Sequence, residues 1–500
     1  MQKKELEVWA DSFHEGEWFC EQVCKFFDKE QYDIKLEYIS NFIPKYTITK
    51  SSSWSLSLTV YGNYKSWTPL PDKVSDLLNW GKPDFILFDS SNDKILFAVE
   101  ETAAIPTGNQ STQRCERMYG ASRNKYPFWY LISEFGLHKD GGTRRDSIWP
   151  SIAALNLTLK FNVPCVVLHY SDANNVEDYN SGVGLNMLFS TLYKILLNYI
   201  AGIDILTNLD SELREQYNHM IDFINSQWDN IVDFIPINDV INLKNKEDLI
   251  NNLTNHALNN TLSCNKISLS SWPLANSFNS YQLSNITSRG LIKHDPLCAR
   301  LESDLNNETK FSYFLSNNSG SGRPPTKKQI SGWINDQNKL FSEFTSKNPL
   351  NPTANFKLDI SDFPITDSGN YHLTTSKNIL YLYDKWSDLE NTIINAYPRL
   401  KNTLSKLSSD KNKPAMIYIS NSLKPGRLFG DPYTGQISSF SSVFGKLLDE
   451  RICIVYFPHQ SYSQAISGRN NKGKTIYSEL TDFIIFGGGV AVDLKTKEVL

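Results

Sequence analysis

The stretch from Gly81 to Thr102 constrains the fold of this 500-residue chain more than any other, because it places carboxylates at the ends of two apolar runs. It reads GKPDFILFDSSNDKILFAVEET, with one apolar run at Phe85–Phe88, turn-forming residues at 90–93 and a second run that ends at Val99. This order predicts a β-hairpin made of two buried strands. The carboxylates at its end need a compensating positive charge, because an unpaired buried charge is costly.

Side chains alternate between the two faces of a strand, which assigns the acids of the second run to faces. Glu100 and Thr102 share one face of the predicted strand, and Glu101 lies on the other. If Asp84 leans towards the face of Glu100, two carboxylates meet at one end of the sheet. Hard oxygen ligands of this kind suit Mg²⁺ or Mn²⁺. Such an ion activates water and neutralises charge on a phosphate.

The pair Pro83-Asp84, followed sixteen positions later by Glu100-Glu101-Thr102, resembles the motif of the PD-(D/E)xK nuclease superfamily, especially type II restriction endonucleases. The resemblance spans about the first 170 residues. It implies an α/β fold with a restriction-endonuclease-like mixed-sheet core and helices on both faces. The family order of helix, three strands, helix and strand is matched by a predicted helix near 5–28, strands near 35–60, 84–89 and 94–101, a helix near 109–124 and a strand at 127–133.

The same resemblance implies a chemistry, namely Mg²⁺-dependent hydrolysis of phosphodiester bonds in double-stranded DNA at a specific sequence. Asp84 and Glu100 would hold Mg²⁺, helped by the backbone carbonyl of Glu101. Thr102 would orient the attacking water. In some members an acid of the first helix also helps to bind the metal, and the predicted first helix carries three acids, Glu15, Glu17 and Glu21.

Thr102 departs from the family pattern, which usually has lysine at this position. A threonine hydroxyl holds water but carries no positive charge. Some members recruit the cation from a nearby helix, and Arg114, Arg117 and Lys125 are candidates for that role. Two alternatives therefore stay open: a non-catalytic DNA-binding protein with a degenerate nuclease fold, and a structural hairpin whose acids lie at the solvent edge.

Residues for DNA contact are predicted in two places. The helix near 109–124 carries amide and guanidinium groups that suit phosphates and base edges, namely Gln110, Gln113, Arg114 and Arg117. A second predicted helix, which begins near residue 326, has Arg323, Lys327 and Lys328 at its start. Cations at a helix start oppose the helix dipole, which is tolerable if a phosphate binds there. Residues 1–250 have net charge −11 and residues 251–500 have +7, so the C-terminal half is favoured for contact with a polyanion.

Composition shifts along the chain predict four regions: a nuclease domain at 1–205, a helical connector at 206–260, a Ser/Asn-rich linker or loops at 261–325, and an α/β DNA-recognition domain at 326–500. The helices within 180–260 form a helical layer. Seven dispersed cysteines and the absence of an apolar leader favour the cytoplasm. The partners we expect are double-stranded DNA, a second copy of the chain if the target is a palindrome, and a DNA methyltransferase encoded nearby.

A rival acidic set lies at the end of the sequence, where Asp482 is followed by Asp493-Leu494-Lys495. It has the lysine that the first set lacks. However, only five residues follow Lys495, which is too few for the helix and strand that come after the motif in the family. The alternative interpretation is a hairpin with no catalytic role.

Overall fold

A computed structural model of the protein describes residues 2–30, 32–50, 53–62, 64, 69–102, 114–133, 149–170, 183–227, 248, 296–297, 300–301, 311–317, 327–328, 331, 335, 377–419, 433–443, 451–457, 471–486 and 489–493. The chain divides into two compact units: Met1–Pro106 with Gln110–Thr254, and Thr107–Asn109 with Asn255–Leu500. Both units are mixed α/β, which confirms the predicted fold class at that level. The predicted boundaries at 205, 260 and 325 stay predictions.

The first unit consists of one sheet and the helices that cover it. Its strands are β1 (Gln2–Ala10), β2 (Asp33–Ile39), β3 (Ile43–Lys50), β4 (Trp54–Tyr61), β5 (Phe85–Asp89), β6 (Lys94–Thr102), β7 (Phe128–Ser133) and β8 (Cys165–Tyr170). Its helices are α1 (Phe13–Lys29), α2 (Asp72–Leu78), α3 (Cys115–Arg123), α4 (Trp149–Phe161), α5 (Val183–Ala201) and α6 (Asp210–Gln227).

The strand order across this sheet is β2-β3-β4-β1-β5-β6-β7-β8. Neighbouring strands are antiparallel from β2 to β4 and from β1 to β6, whereas β4 and β1, β6 and β7, and β7 and β8 are parallel. The predicted hairpin is confirmed as β5 and β6. β6 lies inside the sheet, and its residues from Ile95 to Val99 are apolar and buried. Glu100 is the first charged residue after this apolar run.

Helices pack on both faces of this sheet. On one face Phe19 of α1 contacts the rings of Phe85 and Phe97. Glu100 lies an odd number of residues from Phe97 and therefore points to the opposite face. There it meets Arg117 of α3. At this end of β6, one face of the strand contacts aromatic rings of α1 and the other face carries the ion pair of Glu100 with Arg117.

The prediction of a helix near 5–28 is wrong for its first part, because residues 2–10 form strand β1 between β4 and β5. Leu6, Val8 and Ala10 alternate inwards and are fully buried, which is the pattern of a strand. The helix α1 begins only after Ser12, whose hydroxyl accepts a hydrogen bond from the backbone amide of Glu15. This is a capping interaction that a helix start requires.

The remaining helix predictions in the first unit agree with the structure where it describes them. The predicted helix near 109–124 is described over Cys115–Arg123, and residues 103–113 lie outside the described part. The predicted stripe within 185–199 is buried on α5, and α6 packs against it and against β8. Among the described residues, no helix has the length and apolar character that a membrane crossing needs.

The second unit has its own mixed sheet, of order β14-β13-β12-β11-β10-β9. Its strands are β9 (Phe311–Asn317), β10 (Lys377–Tyr383), β11 (Ala415–Ile419), β12 (Ile452–Phe457), β13 (Phe483–Phe486) and β14 (Ala491–Asp493), and its helices are α7 (Trp386–Ala396), α8 (Lys401–Leu407), α9 (Tyr433–Val443) and α10 (Asn471–Leu480). Its buried cluster includes Tyr381, Trp386, Ile417 and Ile454. The prediction of a linker or loops at 261–325 is corrected at β9, which pairs with β10.

Candidate functional site

The two predicted metal-binding carboxylates lie at the same end of β5 and β6. In this antiparallel pair Phe85 is opposite Val99, and Asp84 and Glu100 each follow one residue beyond that pair. In addition to burial, the charge of Glu100 raises the pKa of Asp84, so the two carboxylates are close to each other. A carboxylate oxygen of Asp84, Oδ2, accepts a hydrogen bond from the backbone amide of Glu101. The hairpin therefore brings both carboxylates to one end of the sheet.

The carboxylate of Glu100 is covered by two arginines. Its side chain is completely buried, and the Nη1 atoms of both Arg114 and Arg117 contact its Oε1 atom. Arg114 also donates to the carbonyl oxygen of Glu101 at 2.8 Å. Among the described residues, the Oε2 atom of Glu100 is buried without a hydrogen-bond partner. One oxygen of Glu100 is thus shared by two cations, while the other has no donor among the residues that the structure describes.

Two glycines let α3 approach the chain just before Asp84. A Cβ atom on Gly120 would lie 2.1 Å from the Cβ atom of Trp80, and one on Gly81 would lie 2.6 Å from the Cγ atom of Arg117. Real Cβ atoms do not come this close to other heavy atoms, so only glycine permits the contact. This close packing brings Arg117 within reach of Glu100.

Two further groups were not predicted at this site, namely Asp11 and Tyr64. The backbone amide of Asp11 donates to the carbonyl oxygen of Asp84 at 3.0 Å, directly after β1. The buried hydroxyl of Tyr64 lies 3.2 Å from the carbonyl oxygen of Trp9 and 2.7 Å from that of Pro83, and donates to them. The contact of Asp11 with Asp84 can be predicted only if β1 is known to be a strand that pairs with β5. No sequence signal marks Tyr64.

Burial and repulsion by neighbouring acids shift the pKa values of Asp84 and Glu15 upwards. Burial raises the pKa of Asp84 well above its ordinary value, and the charge of Glu100 raises it further, while Arg117, Arg114 and the amide of Glu101 oppose the rise. Burial also raises the pKa of Glu15, with Ser12 opposing and Asp11 and Glu100 adding to the rise. Glu15 is thus close enough to feel the charge of Glu100. For Arg114, burial lowers the pKa, but the acidic groups of Glu100, Tyr130 and Asp84 together outweigh burial and raise it.

The raised pKa of Asp84 predicts a pH dependence of stability. In the unfolded chain Asp84 titrates near its ordinary pKa of about 3.9. The stabilisation by its protonated form is fully present below that pH and is lost as the pH rises through the higher pKa of the folded state. We therefore expect the stability of the wild type relative to Asp84→Asn to fall as the pH rises from about 4 towards neutrality. Urea unfolding of both proteins in EDTA measures this difference. A difference that stays constant, or grows in favour of the wild type, contradicts the prediction.

Thr102, the residue predicted to orient water, is buried against Tyr130. Its side chain is 1% exposed, and its hydroxyl forms a hydrogen bond of 3.2 Å with the hydroxyl of Tyr130. Lys125, another candidate for the missing cation, donates to the carbonyl oxygen of Phe161. Arg114 and Arg117 are therefore the two candidates that the structure brings to Glu100.

The acidic side chains near β5 and β6 offer oxygen ligands of the kind that a divalent cation needs. Within the described part of the chain, no cluster of three or more histidine, cysteine or acidic side chains is arranged to hold a metal ion. Mg²⁺ does not require such a cluster, because it is commonly held by one or two carboxylates together with waters and phosphate oxygens. Asp84 and the Oε2 atom of Glu100, which has no hydrogen-bond partner within the described ranges, fit this second arrangement.

The other predicted contact residues lie elsewhere or outside the described residues. Gln110, Gln113 and Arg323 lie outside them. Lys327 and Lys328, in the second unit, are helical and exposed. Of the first-helix acids, Glu17 accepts a hydrogen bond from the hydroxyl of Tyr38 and Glu21 is exposed.

At the rival acidic set, Asp482 binds backbone of a neighbouring strand. Its Oδ2 atom accepts a hydrogen bond of 3.0 Å from the amide of Cys453, and its own amide donates to the carbonyl oxygen of Cys453 at 2.8 Å. Asp493 lies on β14 opposite Phe483 and is largely buried. Lys495 lies outside the described residues. These two hydrogen bonds with Cys453 connect Asp482, directly before β13, to β12.

No family model matches this chain, and no curated protein or solved structure is significantly similar to it.

Proposed function

We propose that the protein is a Mg²⁺-dependent DNA endonuclease of restriction type, which hydrolyses phosphodiester bonds of double-stranded DNA at a specific sequence. The observation that carries the proposal is the placement of Asp84 and Glu100 at one end of adjacent strands, where Arg117 of α3 and Arg114, directly before α3, contact Glu100. Paired carboxylates and guanidinium groups are the side chains that phosphoryl chemistry needs together.

The order of elements around the site also supports the proposal. The antiparallel hairpin β5–β6 is followed by α3 and then by β7, which is parallel to β6. The nuclease core that the motif resembles has three strands, a helix and a final strand. The hairpin, α3 and β7 match its last two strands of the three, its helix and its final strand. In this chain β1 precedes the first helix, and β2, β3, β4 and α2 stand between that helix and the hairpin.

The roles of the residues follow from their contacts. Asp84 and Glu100, with the carbonyl oxygen of Glu101, would hold Mg²⁺. When bound, the ion would lower the pKa of a water molecule and stabilise negative charge on the phosphate. The amide of Glu101 fixes the orientation of Asp84. Arg114 and Arg117 supply the positive charge that Thr102 lacks. If a DNA phosphate accepts hydrogen bonds from one of these arginines, that arginine no longer needs to pair with Glu100, whose oxygen then becomes available.

Incubation of the full-length protein with plasmid DNA tests the proposal. With Mg²⁺ we expect discrete fragments whose ends map to one shared sequence, and with EDTA we expect none. The variant Lys495→Ala serves as a control, because it removes the lysine of the rival set and should leave cleavage unchanged. Intact plasmid under all conditions in which the protein is folded would contradict the proposal.

A second candidate function is DNA binding without catalysis, by a degenerate nuclease fold. It is favoured by the burial of Thr102 against Tyr130 and by the two arginines that neutralise Glu100 in the absence of DNA. The same assay separates the two candidates, because a binding protein retards the plasmid in a gel and leaves it intact. A homodimer, and a DNA methyltransferase encoded in the neighbourhood, remain expectations of the first candidate.

A further inference from the structure

The two edges of the eight-stranded sheet differ in how they are covered. At the β8 edge three alternate backbone amides donate to side-chain atoms: Cys165 to Oγ1 of Thr158 (3.1 Å), Val167 to Sδ of Met220 (3.3 Å) and His169 to Nε2 of His219 (3.1 Å). Amides two residues apart point to the same side of a strand. Two of these acceptors belong to α6, which therefore occupies the side of β8 where another strand would pair.

The β2 edge is different, because it carries large apolar side chains that are exposed. In the described part of the chain β2 pairs with β3 alone. The exposed fractions are 43% for Leu36, 53% for Tyr38 and 39% for Ile39. An uncovered edge with exposed apolar residues is a template for pairing with another strand. Natural proteins usually avoid this combination, so the edge requires an occupant.

The sequence of β2, DIKLEYI, identifies a second copy of itself as that occupant. Directly opposite residues on antiparallel strands share a face, so a two-fold pairing of β2 with β2 must be centred on one residue. Centred on Leu36, it places Ile34 opposite Tyr38, Lys35 opposite Glu37, and Leu36 opposite its own copy. Every residue of β2 then has an opposite residue, and both charged pairs are attractive.

The two neighbouring registers place like charges opposite each other. Centred on Lys35, the pairing places Lys35 opposite its own copy and Asp33 opposite Glu37, which are like charges. Centred on Glu37, it places two glutamates opposite each other. Like charges directly opposite each other are destabilising. A register centred on Ile34 would also pair opposite charges, Asp33 with Lys35, but only residues 33 to 35 of β2 would then have an opposite residue. The charge pattern and the length of the overlap together therefore select the Leu36-centred register.

We infer that two copies of the protein associate through their β2 strands, in an antiparallel pairing centred on Leu36. The pairing joins the two sheets into one, covers the exposed side chains of Leu36 and Tyr38, and forms two salt bridges between Lys35 and Glu37 of the partner subunit. In the single chain the Nζ atom of Lys35 already lies 3.2 Å from the Oε2 atom of Glu37 on one face, and the two side chains are 74% and 43% exposed. This association does not depend on whether the protein cleaves DNA.

Charge reversal tests the inference. Lys35→Glu and Glu37→Lys each convert both intersubunit attractions into repulsions, so each variant alone is expected to raise the dimer dissociation constant by about tenfold or more. An equimolar mixture of the two variants restores the attraction at both positions, because the two acidic side chains of one variant then face the two basic side chains of the other. We therefore expect a heterodimer of wild-type affinity in the mixture. Sedimentation equilibrium of the full chain measures each case.

Lys94→Glu provides the matched control, because Lys94 is exposed on β6 and undergoes the same change of charge. It should leave the dissociation constant unchanged. The inference is overturned if the wild type remains monomeric up to sub-millimolar concentration, if the single reversals dimerise as the wild type does, or if the mixture dimerises no better than its components. Recovery in the mixture cannot arise from misfolded variants.

Discussion

Replacement of Asp84 by asparagine is expected to lower the rate of DNA cleavage by about a thousandfold or more, because charge stabilisation by a bound metal ion is worth several kcal/mol. The amide keeps the size of the side chain and can still accept the hydrogen bond from the backbone of Glu101. It removes one of the two negative charges that would hold the cation. The initial rate of plasmid cleavage, at a fixed concentration of Mg²⁺, measures the effect.

The same substitution should not lower the stability of the protein near neutral pH. Burial and the charge of Glu100 make the ionised form of Asp84 unfavourable in the folded state, and asparagine has no such charge. Loss of cleavage together with unchanged or higher stability is therefore the expected combination. Unimpaired cleavage by Asp84→Asn would exclude Asp84 from the reaction.

Asp89→Asn is the matched control, because Asp89 occupies the other end of the same strand. Its carboxylate accepts hydrogen bonds from the hydroxyl of Ser91 at 2.6 Å and from the side-chain amide of Asn92 at 2.7 Å. We expect this variant to lose about 1 kcal/mol of stability or more and to keep its cleavage activity. The two substitutions thus separate folding from catalysis on one strand.

Replacement of Glu100 by glutamine is expected to lower the free energy of unfolding by about 3 kcal/mol, since removal of one partner leaves buried charges uncompensated. Glutamine has the shape of glutamate but cannot neutralise Arg114 and Arg117. This value is at the lower end of the usual range, because the two guanidinium side chains are 24% and 12% exposed and water compensates part of the loss. Urea unfolding at neutral pH measures the change.

The control for this substitution is Glu21→Gln, which makes the same chemical change at an exposed position of α1. It should change the free energy of unfolding by no more than about 0.5 kcal/mol. If Glu100→Gln were equally mild, the two arginines would not depend on Glu100 for their charge balance. Their role as the cations of the site would then have no basis.

The hairpin could be predicted from the sequence because the residues that determine it are consecutive in the chain. The apolar runs of β5 and β6, the turn between them and the alternation of side chains together place Glu100 on a defined face. The closeness of Asp84 and Glu100 then requires only the correct register, which a short turn sets. The assignment of their function has no such local basis and stays a proposal.

The first strand and the arginine contacts depend on distant parts of the chain. β1 pairs with β4 and β5, some fifty or more residues away, and its apolar residues run directly into the pattern of α1. The spacing of Arg114 and Arg117 predicts that they share a face, as they do, but not what that face meets. That depends on how α3 docks, which is set by the contact of Gly120 with Trp80. Such tertiary contacts leave no periodic signal in the sequence.

The covering of β8 by α6 limits how far an assembly of this protein can grow. A sheet with two open edges adds copies without end and forms a filament. Here a copy that pairs through β2 presents α6 at its far side, with the amides of β8 already bonded to side chains. Growth therefore stops after one addition, and the protein is protected from polymerisation by the same helix that completes its core.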